Sequence, residues 1–146
     1  AELVEAINSA MNGIWPVLYP YSDYRQLRVA AGEDDYSFEI YDGEWRKLER
    51  VGSGGEKACL ALTLRIALAT VLAPGAGWLV LDEPTHNLDQ GAVQALAEAL
   101  ESRVPELVEQ AFVITHDESL MNSEFARSYR FARDKGAAGA TVAEGL

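Results

Sequence analysis

Residues 78–89 read Trp78-Leu79-Val80-Leu81-Asp82-Glu83-Pro84-Thr85-His86-Asn87-Leu88-Asp89, and the reading of this run decides the fold. Leu79, Val80 and Leu81 fit a short buried strand. It ends in two adjacent carboxylates, and Pro84 stops it because proline has no N–H to offer a strand ladder. Neighbouring strand side chains point to opposite faces, so Asp82 and Glu83 serve different purposes. A strand that simply ends in an acidic turn accounts for one carboxylate, and less well for two followed by Pro-Thr. In a nucleotide hydrolase the first carboxylate would hold Mg²⁺ through its water shell. The second would orient and deprotonate the attacking water.

Upstream, Gly52-Ser53-Gly54-Gly55-Glu56-Lys57 opens an apolar segment from Ala58 to Ala73. Ser53 is a good helix N-cap, and Gly54 and Gly55 leave backbone amides uncovered. A helix start of this kind suits an anion, since free N–H groups and the positive dipole end face it. Glycine-rich helix starts are frequent, so alone this says little. Downstream, Val113-Ile114-Thr115-His116-Asp117 reads as a second strand ending in an imidazole, in most proteins a surface residue.

The order of these pieces resembles the nucleotide-binding domain of the ABC ATPase superfamily. There the four pieces are the signature motif (Ser53 to Glu56), the Walker B strand (through Asp82-Glu83), the D-loop (Asn87-Leu88-Asp89) and the switch histidine (His116). The resemblance covers residues 52–117. One part is missing: the family binds ATP on a Gly-x-x-x-x-Gly-Lys-Ser/Thr loop. This chain has no Gly-Lys dipeptide, its lysines being Lys47, Lys57 and Lys135. The phosphate loop is therefore expected from another polypeptide or from a distant part of the same one.

Transporter ATPases carry that loop about one domain upstream, whereas SMC-like ATPases separate the two lobes by a long coiled coil. Within the SMC-like branch the chain is similar to the C-terminal lobe of the Rad-fifty DNA repair ATPases, partners of the Mre-eleven nuclease. Asp82-Glu83-Pro84-Thr85 stands where SMC proteins usually have Asp-Glu-Val-Asp. The switch reads His116-Asp117-Glu118-Ser119-Leu120, and Arg65 lies where the repair ATPases carry a coupling arginine. Gly52 departs from the family, which more often has Leu there.

The resemblance implies an α/β half-domain: the C-terminal lobe of an ATPase head, with an antiparallel β meander, a signature helix and core sheet strands. Residues 1–146 would form a single half-domain. Its parts would be a coiled-coil base (1–13), the meander (14–50), the signature helix (52–73), and the stretch from Walker B to the C-terminal strands (78–146). Asp82 would position Mg²⁺, Glu83 act as general base and His116 contact the γ-phosphate of ATP. Ser53, Gly54, Gly55 and Glu56 would reach the γ-phosphate held by a second head, with Asp89 at the dimer contact. Arg65 would couple ATP binding to lobe rotation. Implied partners are an N-terminal lobe with the phosphate loop, a second head, an Mre-eleven-type nuclease and, through the assembly, DNA.

Bulk properties fit a folded lobe. A chain of 146 residues can bury about 70% of its unfolded surface. Cys59 is the only cysteine, so no internal disulfide forms and a reducing, intracellular setting (cytoplasm, nucleoid or nucleus) is expected. No signal-peptide pattern is read, and Ala58–Ala73 is too short to span a bilayer and carries Arg65, so no membrane partner is expected. The net charge of −11 disfavours nucleic-acid binding by this chain alone. Arg127, Arg130 and Arg133 are better read as solvated strand decoration than as a basic patch.

Leu3, Val4, Ile7 and Met11 recur at helical spacing, as the last turns of a longer helix would. Residues 27–31, 36–41 and 45–49 read as strands, with turns at Gly32–Asp35 and Asp42-Gly43. Trp15, Tyr19, Tyr21, Tyr24 and Trp45 read as packing residues. The helix from about Gly54 to Ala73 is apolar nearly all round and is expected to be buried on most faces, so Arg65 should need a carboxylate or carbonyl partner. Val93, Leu96, Ala97 and Leu100 are expected to form the inner face of the next helix, for which Asp89 could be the N-cap. Residues 111–115, 128–133 and 140–143 read as further strands, with a turn at Gly136–Gly139. Three alternatives stand beside the repair reading: an SMC-type chromosome ATPase half, a non-enzymatic scaffold lobe and a transporter fragment. The paired carboxylates and His116 argue against a scaffold. The helical lead-in and the meander argue against a transporter.

Overall fold

The structure, a computed structural model, describes residues 2–32, 35–121, 126–133 and 141–145. They fall into two compact units, Ala1–His116 and Asp117–Leu146. Helix and strand are mixed throughout. Among the described residues no helix is long and apolar enough to cross a membrane.

The first unit opens with helix α1 (Glu2–Leu18), longer than the helical spacing of residues 1–13 suggested. It runs through Pro16, which denies the Asn12 carbonyl its helical donor. Burial outweighs that loss: Met11, Ile14, Trp15 and Leu18 all lie in the core, and Tyr19 continues the ladder to Trp15 at 2.8 Å. Strands β1 (Gln26–Ala31), β2 (Tyr36–Tyr41) and β3 (Trp45–Lys47) then form the antiparallel meander, in that order. Gly32 and Asp35 close the first connection by an N–H···O bond of 2.7 Å, and Gly43 turns the second at φ 115°. The third strand stops two residues short of expectation. Leu48 turns into the core and nucleates the one-turn helix α2 (Leu48–Val51), closed by Gly52 N–H on the Leu48 carbonyl at 2.8 Å.

Helix α3 (Gly54–Leu72) has the expected limits but not the expected burial. Cys59, Leu60, Leu62, Thr63, Ile66 and Ala67 form one buried stripe, while Ala61, Arg65 and Leu72 stand open. Strand β4 (Trp78–Asp82) follows, then α4 (Gln90–Ser102), the short α5 (Val104–Leu107) and β5 (Gln110–Ile114). The buried stripe of α4 is rotated from the expected one. Ala92, Ala95, Leu96, Ala99 and Leu100 face inward, whereas Val93 and Ala97 are only partly covered. Small alanines let the helix approach closely, so proximity rather than side-chain hydropathy chooses the face.

Strands β4 and β5 pair in parallel, Leu79 opposite Ala111 and Asp82 opposite Ile114. Leu79 and Leu81 are buried on one face. On the other, Trp78, Val80, Phe112 and Ile114 are all about half exposed or more. The second unit holds α6 (Glu118–Met121) and an antiparallel pair, β6 (Tyr129–Ala132) with β7 (Val142–Gly145). Arg130 sits opposite Glu144 there, and Arg127, Arg130 and Arg133 are exposed, as strand decoration would be. The Gly136–Gly139 turn lies outside the described residues.

Candidate active site

The ends of β4 and β5 lie side by side because the two strands are parallel and in register. Both carry their polar residues at the C-terminal edge, where ligands of open α/β sheets collect. Asp82 ends β4 on the same face as Trp78 and Val80 and is exposed, with no ion pair among the described residues. Glu83 then leaves the strand at φ 46°, a left-handed backbone that a non-glycine residue adopts only when its surroundings impose it. What imposes it is visible on both sides. The Glu83 N–H donates to the Ile114 carbonyl at 2.8 Å, and Pro84 is buried immediately after.

The twist brings the Glu83 carboxylate to His116, two residues beyond β5. Nδ1 of His116 lies 2.9 Å from Glu83 Oε2. That oxygen is shielded and accepts no aligned hydrogen bond, although the Glu83 side chain as a whole is 40% exposed and His116 87%. The contact is therefore a close electrostatic approach, charged only when the imidazole is protonated.

Residues 84–89 form a tight loop. His86 N–H bonds the Glu83 carbonyl at 3.2 Å, Leu88 N–H bonds the Thr85 carbonyl at 3.0 Å, and Asn87 is left-handed at φ 63°. His86 itself points outward. Asp89 is the N-cap of α4: its Oδ1 accepts from Ala92 N–H at 2.9 Å and from the Tyr21 hydroxyl at 2.7 Å. The hydroxyl and then the Ala92 amide hold the Asp89 carboxyl below its usual range. The same hydrogen bond, helped by burial, pushes the Tyr21 phenol up to about 12. Tyr21, read from sequence as packing, is thus a polar partner of the loop. It is 68 residues from Asp89, and no local pattern signals such a pairing.

The start of α3 makes a second cluster. Ser53 is its N-cap, and Glu56 folds back so that its carboxylate accepts from the Ser53 N–H at 2.7 Å and from the Ser53 hydroxyl. The acidic charge is therefore spent on the cap, while a Cβ at Gly54 would meet nothing within 4 Å. The Ser53 side chain in turn accepts from the Glu56 N–H, which completes a capping box. A Cβ on Gly55 would lie 3.8 Å from the Asn87 carbonyl, so this helix start abuts the 84–89 loop. Among the described residues no hydrogen bond or ion pair joins Ser53–Glu56 to Glu83 or His116. Arg65 is exposed, with no ion pair among the described residues, which overturns the expectation of a buried, partnered charge. It lies on the open side of α3, where water solvates it without a carboxylate.

No cluster of three or more His, Cys, Asp or Glu residues able to hold a metal occurs among the described residues. Asp82 nevertheless fits Mg²⁺, which takes one or two carboxylates and completes its octahedron with water and substrate phosphates.

Known proteins show which family the chain resembles. No family model matches the chain. It is 30% identical over 140 residues to the DNA repair protein RAD50 of Drosophila melanogaster, covering 84% of this chain and 11% of that protein. It is 34% identical over 149 residues to RAD50 of Arabidopsis thaliana, covering 90% and 11%. The Rad50 ATPase of Sulfurisphaera tokodaii is 46% identical over 71 residues, 49% of this chain and 8% of that protein. Among solved structures, one from work on ATP-driven dimerization of SMC ATPases superposes with a TM-score of 0.78 at 22% identity, covering 99% of this chain and 86% of that one. This chain belongs to the Rad50/SMC-like ATPase heads. The Smc head with coiled coil and joint from Pyrococcus yayanosii has the same fold, with a TM-score of 0.70 over 97% of this chain and 27% of that one. The chain spans about a tenth of the length of the Rad50 relatives it matches.

Proposed function

We propose that this chain is the water-activating lobe of an ATP hydrolase of DNA double-strand-break repair. The observation that carries the reading is Glu83: a carboxylate on a left-handed backbone at the end of a parallel strand, 2.9 Å from an imidazole at the end of its neighbour. Backbone strain held by a strand ladder is a way to aim a reactive group. Glu83 takes the proton of the attacking water, and His116 at its side shares or redirects that proton and faces the terminal phosphate. Asp82 would hold Mg²⁺, which supplies charge neutralisation on the phosphates. Ser53, Gly54, Gly55 and Glu56, at the start of α3, would meet the terminal phosphate of the nucleotide held by a second head. Asp89 shapes the loop between the two clusters. Arg65, on the open side of α3, is placed to meet a carboxylate of a partner surface as the lobes move.

The β4–β5 pair supports an N-terminal lobe as the first partner. Parallel sheets are normally covered on both faces and extended at their edges. Here one face is bare, and among the described residues neither outer edge is paired. That lobe would also bring the phosphate loop. A nuclease of the Mre-eleven type and DNA, reached through the assembly, complete the reading, with an intracellular location.

The test is Glu83→Gln in the head assembled from both lobes. ATP should still bind, and turnover should fall by about 10²–10⁴-fold, because an amide cannot take the proton. Turnover within a few-fold of wild type would remove Glu83 from the base role. This lobe by itself should show negligible hydrolysis and weak ATP binding by calorimetry.

A further inference from the structure

The segment between Glu83 and Asp89 is only five residues long, and its conformation is fixed from both ends. At the first end the Glu83 N–H is held by the Ile114 carbonyl. At the second, Asp89 Oδ1 takes one bond from its own helix and one from Tyr21. Tyr21 is the distant partner of the two, and its own position is built. Trp15 stacks on Tyr19 at 4.4 Å, Tyr19 meets Tyr21 edge-on at 5.1 Å, and the Tyr19 hydroxyl bonds Asp23 at 2.9 Å. Trp15 is buried and its indole N–H donates to the Tyr24 carbonyl at 2.8 Å. The phenol therefore stands at the end of an aromatic stack rooted in α1.

Room for it is reserved in α4. A Cβ at Gly91 would lie 2.7 Å from the Tyr21 hydroxyl oxygen and 3.5 Å from its ring carbon, so only glycine admits the hydroxyl. Gly91 has no conformational need of its own: it lies in the first turn of a helix, where alanine is ordinarily the more favourable residue. The space is specific to one oxygen atom.

We propose that Tyr21 is a positioning residue of the ATPase site, its hydroxyl holding Asp89 and so keeping the 84–89 loop in the form that aims Glu83. The inference rests on the hydrolase reading above. Loss of the hydroxyl loosens the loop at its far end. Glu83 then samples more than one orientation, and the chemical step slows without the phosphates being held any less well.

The experiment is a double-mutant cycle in the two-lobe head, with steady-state ATP hydrolysis as the readout. Tyr21→Phe keeps the aromatic stack and removes the oxygen; kcat should fall about 3–10-fold, in keeping with the net worth of one partly exposed hydrogen bond, with KM for ATP unchanged. Gly91→Ala should lower kcat similarly by displacing the hydroxyl. The combined variant should be no slower than Tyr21→Phe, because the alanine methyl then meets only Asp89 Oδ1 at 3.4 Å and a ring carbon at 3.5 Å, both ordinary contact distances. Additive losses, a rise in KM with kcat kept, or Tyr21→Phe turning over at the wild-type rate would overturn the proposal. Glu83→Gln runs alongside: a head in which it turns over normally has lost the hydrolase reading itself, whereas a dead Glu83→Gln with an unaffected Tyr21→Phe sinks only the role of Tyr21.

Discussion

Strands β1 and β4 each form an edge of a small sheet, and what meets them differs. On β1 the edge left open by β2 is completed by two asparagines one helical turn apart on α1. Asn8 gives and takes hydrogen bonds with Val29 at 3.1 and 2.7 Å, and Asn12 does the same with Leu27 at 2.7 and 3.0 Å. Each side-chain amide copies the donor–acceptor pair of a neighbouring strand, so the edge is satisfied without another strand. Among the described residues nothing comparable is found on β4 and β5, whose bare face shows Trp78, Val80, Phe112 and Ile114. One sheet is finished within the chain. The other has the composition of an interior and the exposure of a surface, and its polar end carries Asp82 and Glu83. On the proposed reading, that edge becomes complete only on assembly.

The largest expected effect is on the unfinished side. Phe112→Asp places a charge at the centre of the bare face. If an N-terminal lobe covers it, assembly must bury that charge and forgo the ~1.5–3 kcal/mol of a buried aromatic side chain. Association of the two lobes, followed by calorimetry, should weaken by at least about 100-fold. The melting temperature of this chain by itself should stay the same, because Phe112 supports little within it. Unchanged association would mean that the face is not where the lobes meet.

Asn12→Ala tests the finished side and should show the reverse pattern. It strips the Leu27 N–H and carbonyl of their partners in a partly buried place, at a cost of about 1–3 kcal/mol in folding stability measured by urea denaturation. Lobe association should be unaffected once the chain is folded. Asn12→Asp, which keeps an acceptor for the Leu27 N–H but faces the Leu27 carbonyl with a second oxygen, should be no better than alanine. A loss below a few tenths of a kcal/mol would show that water replaces the asparagine at no cost.

These contrasts also explain what could be read before the fold was known. The 78–89 run, the limits of α3 and the strands at 26–31 and 36–41 follow local rules of periodicity, proline and turn chemistry. The same rules put Glu83 and His116 each at the end of a strand, whereas that they share one site was implied only by the family resemblance. The Asn8 and Asn12 ladder, the Tyr21–Asp89 bond and the α4 face set by Ala92, Ala95 and Ala99 are tertiary. They depend on which backbone comes near, which the residues themselves do not announce. The open side of α3 and the exposure of Arg65 were misread for a related reason. Apolar content reports what must eventually be covered, and here part of the cover lies on no described residue of this chain.

Gly52 gives a smaller test of the finished half. Its backbone, φ −78° and ψ 134°, suits any residue, so conformation does not require glycine there. Space does: a Cβ would fall 2.7 Å from Leu48 Cδ1 and 2.9 Å from the Leu48 carbonyl oxygen. Gly52→Ala should therefore cost about 1–3 kcal/mol by overpacking the α2 turn, and Gly52→Leu, the residue more common in the family, at least as much. Leu48→Ala, costly by itself because Leu48 is buried, should cost less in the Gly52→Ala background than in the wild-type chain, since it also removes the side-chain clash. If Gly52→Ala alone is neutral, the turn is softer than its contacts imply.

The smallest expected effect is a titration. Tyr21 has its phenol raised to about 12 by the Asp89 hydrogen bond together with burial, while Asp89 is lowered, first by Tyr21 and then by the Ala92 amide. The two shifts act at opposite ends of the pH scale. A raised folded pKa on Tyr21 contributes stability that is whole below its unfolded value near 10 and is lost as pH climbs towards 12. A lowered folded pKa on Asp89 contributes stability present above its unfolded value and lost as pH falls through the folded one. Between these limits the bond is intact, so neutral pH should leave the loop unaffected. Tyrosine absorbance against pH, with Tyr21→Phe as the blank, isolates the phenol. Asp89→Asn should bring its midpoint back down towards 10, since the amide no longer penalises the phenolate. A midpoint already near 10 in the wild-type chain would mean that the Tyr21–Asp89 bond does not hold the loop in solution, and the far end of the catalytic segment would need another anchor.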